Sequence, residues 1–336
     1  MSTHLGDDQE HREHDGHQHD HDPATGIRRD AMVALGPPRL EEIDRGVYAY
    51  VQPDGTWWIN NCGVIAAPDG IVAIDSCATE RRTRAFLDAL AGVSSQPVRV
   101  LVNTHHHGDH THGNYLTHPA TIVGHTRCRE LVIQSGITHY DGVWEGAEWG
   151  HLELAPPTLT FDDHIDVWSG DTKVELHYIG TPAHTTNDVV AWLPERKILF
   201  AGDLVFNGGT PFVVMGSVAG SLDALARIRA FEPDVIVPGH GPVCDVAALG
   251  VIERYHRFVL DLAAQVDDAG IGPLEAARDT DLGEFAELTD RERLVGNLHR
   301  ALFERRGGER GGTIDLIPAI MDMIAYNGGR PLRCLA

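Results

Sequence analysis

The stretch Val98-Arg99-Val100-Leu101-Val102-Asn103-Thr104-His105-His106-His107-Gly108-Asp109-His110 decides how this chain is read. Its first half is an apolar, strand-like run. Its second half carries the pattern H-x-H-x-D-H, four metal-capable side chains within six residues. Imidazole and carboxylate are the donors that suit divalent zinc, iron and manganese. In a tight turn this spacing lets His105 and His107 face one way while Asp109 and His110 serve a second position. His106 alternates away and is expected to be a bystander.

A metal site needs donors converging from several strand ends, and three downstream segments have that form. Tyr178-Ile179-Gly180-Thr181-Pro182-Ala183-His184 places a histidine just after a strand that ends near Ile179. Lys197-Ile198-Leu199-Phe200-Ala201-Gly202-Asp203 reads as a strand ending in Gly-Asp, and Asp234-Val235-Ile236-Val237-Pro238-Gly239-His240-Gly241 as one ending in Gly-His-Gly. Short apolar runs bounded by Gly or Pro are how buried strands look. Glycine beside a ligand lets the backbone turn sharply and come close to an ion.

Taken together, H-x-H-x-D-H, G-T-P-A-H-T, A-G-D and P-G-H-G resemble the metallo-β-lactamase superfamily in order and spacing, from Gly46 to Val243. The resemblance implies an α/β fold, the αβ/βα four-layer sandwich, with a C-terminal helical extension. It also implies a ligand set of His105, His107 and His184 for one metal, Asp109, His110 and His240 for the other, and Asp203 bridging them. Two Zn2+ are the implied cofactors, with Mn2+ or Fe as alternatives. Asp at position 203 sets aside the β-lactamases with a Cys ligand. The full set is similar to that of glyoxalase II and the acyl-homoserine lactonases. Two ions about 4 Å apart would hold a shared water and lower its pKa toward neutrality. The implied reaction is hydrolysis of a small ester, lactone, thioester or amide/lactam, with Asp109 as the catalytic carboxylate that orients the nucleophile and carries its proton. Thr185, Asn187 and Asp188 could serve the ligands from the outer shell or simply form a turn.

Two other functions stay open. The persulfide-oxidising sulfur dioxygenases keep the same seven residues but hold one iron through two His and an Asp. A non-catalytic metal-binding protein, with the His-rich N-terminus as its working part, is the second alternative. The intact Asp109 and Asp203 argue against it.

The family's familiar substrate contacts do not carry over. Between Leu204 and Ser217 there is no Lys or Arg, and Phe206 stands where the lactonases place a Tyr. Trp57, Trp58, Trp144 and Trp149, with Phe206 and Phe212, are instead the candidate substrate pocket, with Trp57 and Trp58 expected at a hairpin tip. Tyr140 belongs to the same candidate loop, 138–157. As a group these rings suggest an apolar or aromatic small molecule.

The chain has 336 residues, 42% of them hydrophobic, and a net charge of −22. An acidic chain repels phosphate backbones, so no nucleic-acid partner is expected. No apolar stretch approaches the ~20 residues that span a bilayer, so no membrane partner is expected, and no signal peptide is visible. The five cysteines form no C-x-x-C pair and read as reduced, mostly buried thiols of a cytoplasmic protein. Residues 1–30 alternate His with Asp and Glu and contain almost nothing apolar, the composition of a disordered tail. A solvated tail explains that composition without a ligand, and metal capture for the active site is the alternative use.

The metallo-β-lactamase domain is expected over residues 39–244. Val47–Val51 and Gly63–Ala67 look like paired strands, and Pro68-Asp69-Gly70 turns the chain into Ile71–Asp75. Helices are expected over Thr79–Ala91, Arg127–Gln134 and Ser221–Ala230, the last with Ser221 as N-cap. Residues 245–336 read as a helical extension, with helices over Val251–Val266, Arg291–Arg305 and Ile314–Tyr326. These helices could help bind substrate, as in glyoxalase II-like members, or serve packing and a homodimer.

Overall fold

A computed structural model describes residues 36–138 and 141–336. The His-rich segment 1–30 and Tyr140 lie outside the described residues. Four strands come first: β1 (Arg39–Asp44), β2 (Val47–Val51), β3 (Cys62–Ala67) and β4 (Gly70–Ile74). They pair antiparallel, and the Ala49↔Gly63 register confirms the expected pairing of the second and third. Helix α1 (Glu80–Val93), N-capped by Thr79, returns the chain to β5 (Val98–Val102), parallel to β4. The H-x-H-x-D-H motif follows as one short helical turn, α2 (Gly108–Thr111). Next come β6 (Thr121–His125), α3 (Thr126–Ser135), β7 (Trp144–Glu145) and β8 (Leu159–Phe161). The first sheet has the order β1-β2-β3-β4-β5-β6-β8.

The second sheet has the order β13-β12-β11-β10-β9. It is built from β9 (His164–Ser169), β10 (Thr172–Tyr178), β11 (Val189–Leu193), β12 (Ile198–Phe206) and, after α4 (Val218–Ala230), β13 (Val235–His240). The two sheets pack face to face. Val47, Ile65, Val72, Ile74 and Val102 meet Val174, Leu176, Val189, Phe200 and Val237 in one core. In β4 the side chains alternate between that core and a second one under α1, where Ile71 and Ala73 join Phe86 and Leu90. A strand buried on both faces must be apolar throughout, which is why β4 shows no polar alternation. The outer face of the second sheet is covered by α4 and α5 (Val246–Ala269). Helix, sheet, sheet, helix is the expected four-layer order.

Beyond the sandwich lie α6 (Pro273–Asp279), α7 (Arg293–Arg305), α8 (Leu316–Tyr326) and a final short strand, β14 (Leu332–Arg333), which pairs with β7. Tyr255, Val259, Leu294, Leu298 and Met323 share a core with Trp57 and Val213. No helix among the described residues is long and apolar enough to cross a membrane.

Three local expectations need correction. Helix α4 is capped by Ser217, whose Oγ accepts from Gly220 N, while Ser221 lies inside the helix and donates to Ser217 O four residues back. A serine one turn in satisfies an internal carbonyl and leaves the cap to its predecessor. Helix α5 begins at the Asp245 cap, well before Val251, because that side chain accepts from Ala247 N. The strand through Asp203 does not end there. β12 runs on to Phe206 with register shifts on both sides of Gly202. Gly202 has φ +51, a left-handed conformation that costs glycine little. The resulting bulge aims Asp203 into the site without terminating the strand.

Phe200 is 2% exposed and closes the inter-sheet core beside Gly63. Phe200→Ala is expected to lower the unfolding free energy by about 3–5 kcal/mol, read by urea denaturation.

Candidate metal centre

The sheets deliver their polar residues to one end. The loop after β5 brings His105, His107, Asp109 and His110. The turn after β10 brings His184, the β12 bulge Asp203, and the end of β13 His240. Gly239 has to be glycine, because a Cβ there would sit 2.0 Å from Asp203 Oδ1. Two groups of ligand-type atoms result: His105, His107, His184 and Asp203, and Asp109, His110, His240 and Asp203. They share Asp203.

In the first group, His184 Nε2 lies 3.2 Å from His105 Nε2, 2.8 Å from His107 Nδ1 and 3.3 Å from Asp203 Oδ2. In the second, His240 Nε2 lies 3.3 Å from both Asp109 Oδ2 and Asp203 Oδ2, and His110 Nε2 lies 3.0 Å from Asp203 Oδ1. His110 Nε2 and Asp203 Oδ1 are close but not aligned as a hydrogen bond, and both count as buried polar atoms without a hydrogen-bond partner. Buried polar groups are normally satisfied. Lone-pair donors crowded together and left unsatisfied fit a cation at their centre.

Each histidine is aimed by a contact at its other nitrogen. His110 Nδ1 lies 2.8 Å from Asp75 Oδ2, and His240 Nδ1 donates to the Gly55 carbonyl at 3.0 Å. His184 Nδ1 donates to the Phe212 carbonyl, His107 Nε2 meets Met215 Sδ at 3.3 Å, and His105 Nδ1 meets Thr104 Oγ1 at 3.1 Å. Such outer partners fix the tautomer of a ligating imidazole. The expected helpers Thr185, Asn187 and Asp188 are not among them. Asp188 accepts from Thr185 N and Oγ1 and so shapes the turn after His184. Asn187 contacts His106 Nδ1 at 3.0 Å. His106 belongs to neither group, as expected, but it lines the cavity beside them.

Asp75 is the important residue that sequence reasoning passed over. It accepts from Thr104 N and Oγ1 as well as facing His110. The signal was present in Ile71-Val72-Ala73-Ile74-Asp75, a buried strand ending in a carboxylate next to the motif strand.

The electrostatics differ between the two groups. Burial, then neighbouring histidines, holds His105 and His107 well below the usual imidazole pKa, so both are neutral donors. Burial also opposes charge on His110 and His240, but carboxylates outweigh it. Asp203, Asp75 and Asp109 raise His110 well above the usual value, and Asp203 and Asp109 raise His240 to about 9. Burial would raise Asp109 and Asp203, yet the surrounding histidines hold both below the usual carboxylate range.

A cavity of about 170 Å³ opens on this centre. Trp57, Trp58, Trp144, Phe206 and Phe212 line it together with Val132, Leu154, Ile320 and Met323. Trp149 does not line it; it packs edge-on against Trp58 with centroids 4.8 Å apart. Trp57 and Trp58 sit in the long loop that joins the antiparallel pair β2 and β3. The cavity also touches Arg293 from α7, whose two terminal nitrogens are engaged while its Nε has no hydrogen-bond partner among the described residues. It pairs with Asp290 at 2.7 Å, donates to Thr210 O at 3.0 Å and lies 4.1 Å over the Trp57 ring.

Residues 55–240, more than half of the chain, match the metallo-beta-lactamase superfamily, and the protein belongs to that superfamily. It is similar to a linear primary-alkylsulfatase of a Pseudomonas species, 22% identical over 61% of this chain and 45% of the relative. It is also similar to a hydroxyacylglutathione hydrolase of Rhodospirillum rubrum, 29% identical over 41% of this chain and 45% of the relative. The chain thus spans about half the length of these curated relatives. Among solved structures, a metallo-beta-lactamase from Pontibacter korlensis superposes with a TM-score of 0.56 at 22% identity, covering 66% of this chain and 99% of that one. At that identity the likeness concerns the fold. One of these relatives is a hydrolase by name, and this chain carries two His/Asp clusters that could hold metal ions.

The raised pKa values set a direction. In the metal-free chain, His110 and His240 hold protons near neutrality, so filling the second group should release about two protons per ion. Calorimetry in buffers of different ionisation heat measures this. A raised folded pKa also means that both histidines stabilise the metal-free protein fully below the ordinary histidine value of about 6.5. That contribution is lost as pH rises through the folded value, about 9 for His240. The melting temperature of metal-free protein should therefore fall across this window, and zinc should remove the fall.

Proposed function

We propose that this protein is a dinuclear metal-dependent hydrolase of a small, uncharged ester, lactone, thioester or amide/lactam with an apolar or aromatic body. The observation that carries the reading is the pair of ligand groups sharing Asp203, with His110 Nε2 and Asp203 Oδ1 buried and unsatisfied at their centre. His105, His107 and His184 would hold one ion, Asp109, His110 and His240 the other, and Asp203 both. Zinc suits the mixed imidazole and carboxylate set, with manganese or iron as substitutes. Such ions supply Lewis acidity and make water a nucleophile near neutral pH.

The chain's own residues do the rest. Asp109 is the more exposed of the two site carboxylates lining the cavity, with its side chain 12% exposed and held below the usual carboxylate range by its histidine neighbours. It would orient the attacking water and pass the proton to the leaving group. The aromatic wall would exclude bulk water and seat the apolar part of the substrate. An engineered apolar cavity of about 150 Å³ accepts benzene, so about 170 Å³ suits a single ring or a short acyl chain. With the Arg293 charge already paired with Asp290, a substrate carboxylate would be buried without a cation of its own. Residues 39–244 would form the catalytic unit, and residues 245–336 a helical extension that supplies one cavity wall.

The single-iron and the non-catalytic readings gain no specific support. Cys62, Cys77, Cys128, Cys244 and Cys334 form no disulfide, which fits a cytoplasmic location. The acidic surface disfavours nucleic acid.

Asp109→Ala is expected to lower kcat by about 10²–10⁴-fold, and His184→Ala to lower both activity and metal content. Wild-type turnover by either variant would sink the mechanism. Elemental mass spectrometry of protein purified without added metal should find about two zinc or manganese ions per chain; about one iron would overturn the assignment. A phenyl ester should exceed its ring-carboxylated analogue in kcat/KM by at least about tenfold, since burying an unpaired charge is costly. Turnover should fall at low pH as protons compete with the metal for the ligand histidines.

A further inference from the structure

Helix α7 carries Arg293, Asn297, Arg300 and Glu304 at spacings of four, three and four, which places them on one face. Arg293, Asn297 and Arg300 are each no more than 1% exposed. Burying polar side chains in a helical bundle is unfavourable unless their donors are met. Most of the partners follow one another along a single stretch of chain, residues 210–217; Asn297 also donates to Tyr255 Oη and Arg300 to Gly312 O. Arg293 donates to Thr210 O at 3.0 Å. Asn297 Nδ2 donates to Pro211 O at 2.7 Å while its Oδ1 accepts from Val213 N at 2.9 Å. Arg300 donates twice to Val214 O, at 2.8 and 2.6 Å, and Glu304 accepts from Ser217 Oγ at 3.0 Å.

The clamped stretch aims two of the three histidines of the first ligand group, His105 leaning on Thr104 instead. Its Phe212 carbonyl takes the Nδ1–H of His184, and its Met215 sulfur meets His107 Nε2. Asn297 grips the backbone on both sides of Phe212. The second group leans elsewhere, His110 on Asp75 and His240 on the Gly55 carbonyl.

We propose that α7, through Asn297, is a positioning element that acts selectively on the His105–His107–His184 metal position. This rests on the reading of the two groups as two ion positions. The C-terminal helices then do more than wall the cavity. They set the geometry of one ligand group, while sheet ends and loops of the sandwich set the other.

The test uses the full-length, metal-free protein, with zinc as the probe. Asn297→Leu removes, at similar volume, the hydrogen bonds to Pro211 O and Val213 N together with the one to Tyr255 Oη. Zinc is titrated against a chromophoric chelator, and the two binding steps are assigned with His184→Ala and His110→Ala. The step lost in His184→Ala should weaken by about 10–100-fold, as outer-shell losses do. The other step should weaken far less, since Asp203 is the one ligand the two groups share. Independently, the ¹⁵N–¹H resonance of His184 Nδ1 in metal-free protein should shift or be lost in Asn297→Leu. A folded variant with both steps and the resonance unchanged overturns the proposal, and so does equal weakening of both steps, which marks a merely structural residue. If Asn297→Leu does not fold, Asn297→Asp, which loses the Nδ2 donor to Pro211 O and Tyr255 Oη but keeps the acceptor for Val213 N, and Arg300→Met carry the same readouts. Wild-type protein that binds a single ion would sink the two-position reading, and the resonance would still decide the positioning role.

Discussion

The structure is organised around one buried carboxylate. Asp203 is 6% exposed, and the ring nitrogens of His105, His110, His184 and His240 lie within 4.0 Å of its oxygens. Taking an ionised carboxylate out of water costs several kcal/mol, and only well-placed partners offset it. Those partners come from the β5 loop, the turn after β10 and the end of β13. The sheets must therefore end together at one edge of the sandwich. The Gly202 bulge and the missing side chain at Gly239 are local consequences of the same demand.

The second organising fact is that the sandwich does not finish the site alone. The helices after β13 add Arg293 and the Ile320–Met323 surface to the cavity, and β14 ties Leu332 to Trp144. Arg293 stacks on Trp57 and lies 5.2 Å over Phe206, whose ring is parallel to His240 at 5.0 Å. The cation that might have recognised an anion is thereby used as a wall, and the pocket stays apolar.

Much of this was legible in the chain. His105, His107, Asp109, His110, His184, Asp203 and His240 stand in motifs whose spacing only a metal explains well, and the structure gathers all seven. The four-layer order was implied by the family resemblance those motifs carry, and short apolar runs alternating with helices fitted it. What could not be read were relations across long separations. Asp75 looks like any strand end until it is seen facing His110, and Asn187 looks like a helper until it is seen facing His106. Ser221 satisfied the local rule for a cap, but Ser217, one turn earlier, won it because its hydroxyl reaches Gly220 N. The buried Arg293, Asn297 and Arg300 gave no signal at all, since polar residues on a helix are ordinarily solvent-facing.

The cavity wall joins residues as far apart in the chain as Trp57 and Leu332. A molecule bound there touches the loop after β2, the β7 segment, the end of β12 and the last helices at once. Occupancy therefore acts as a cross-link across the whole fold. Since it favours only the fully assembled chain, each bound ligand raises resistance to unfolding by RT ln(1 + [L]/Kd). Recognition and global cooperativity are, in this protein, the same free energy seen from two sides.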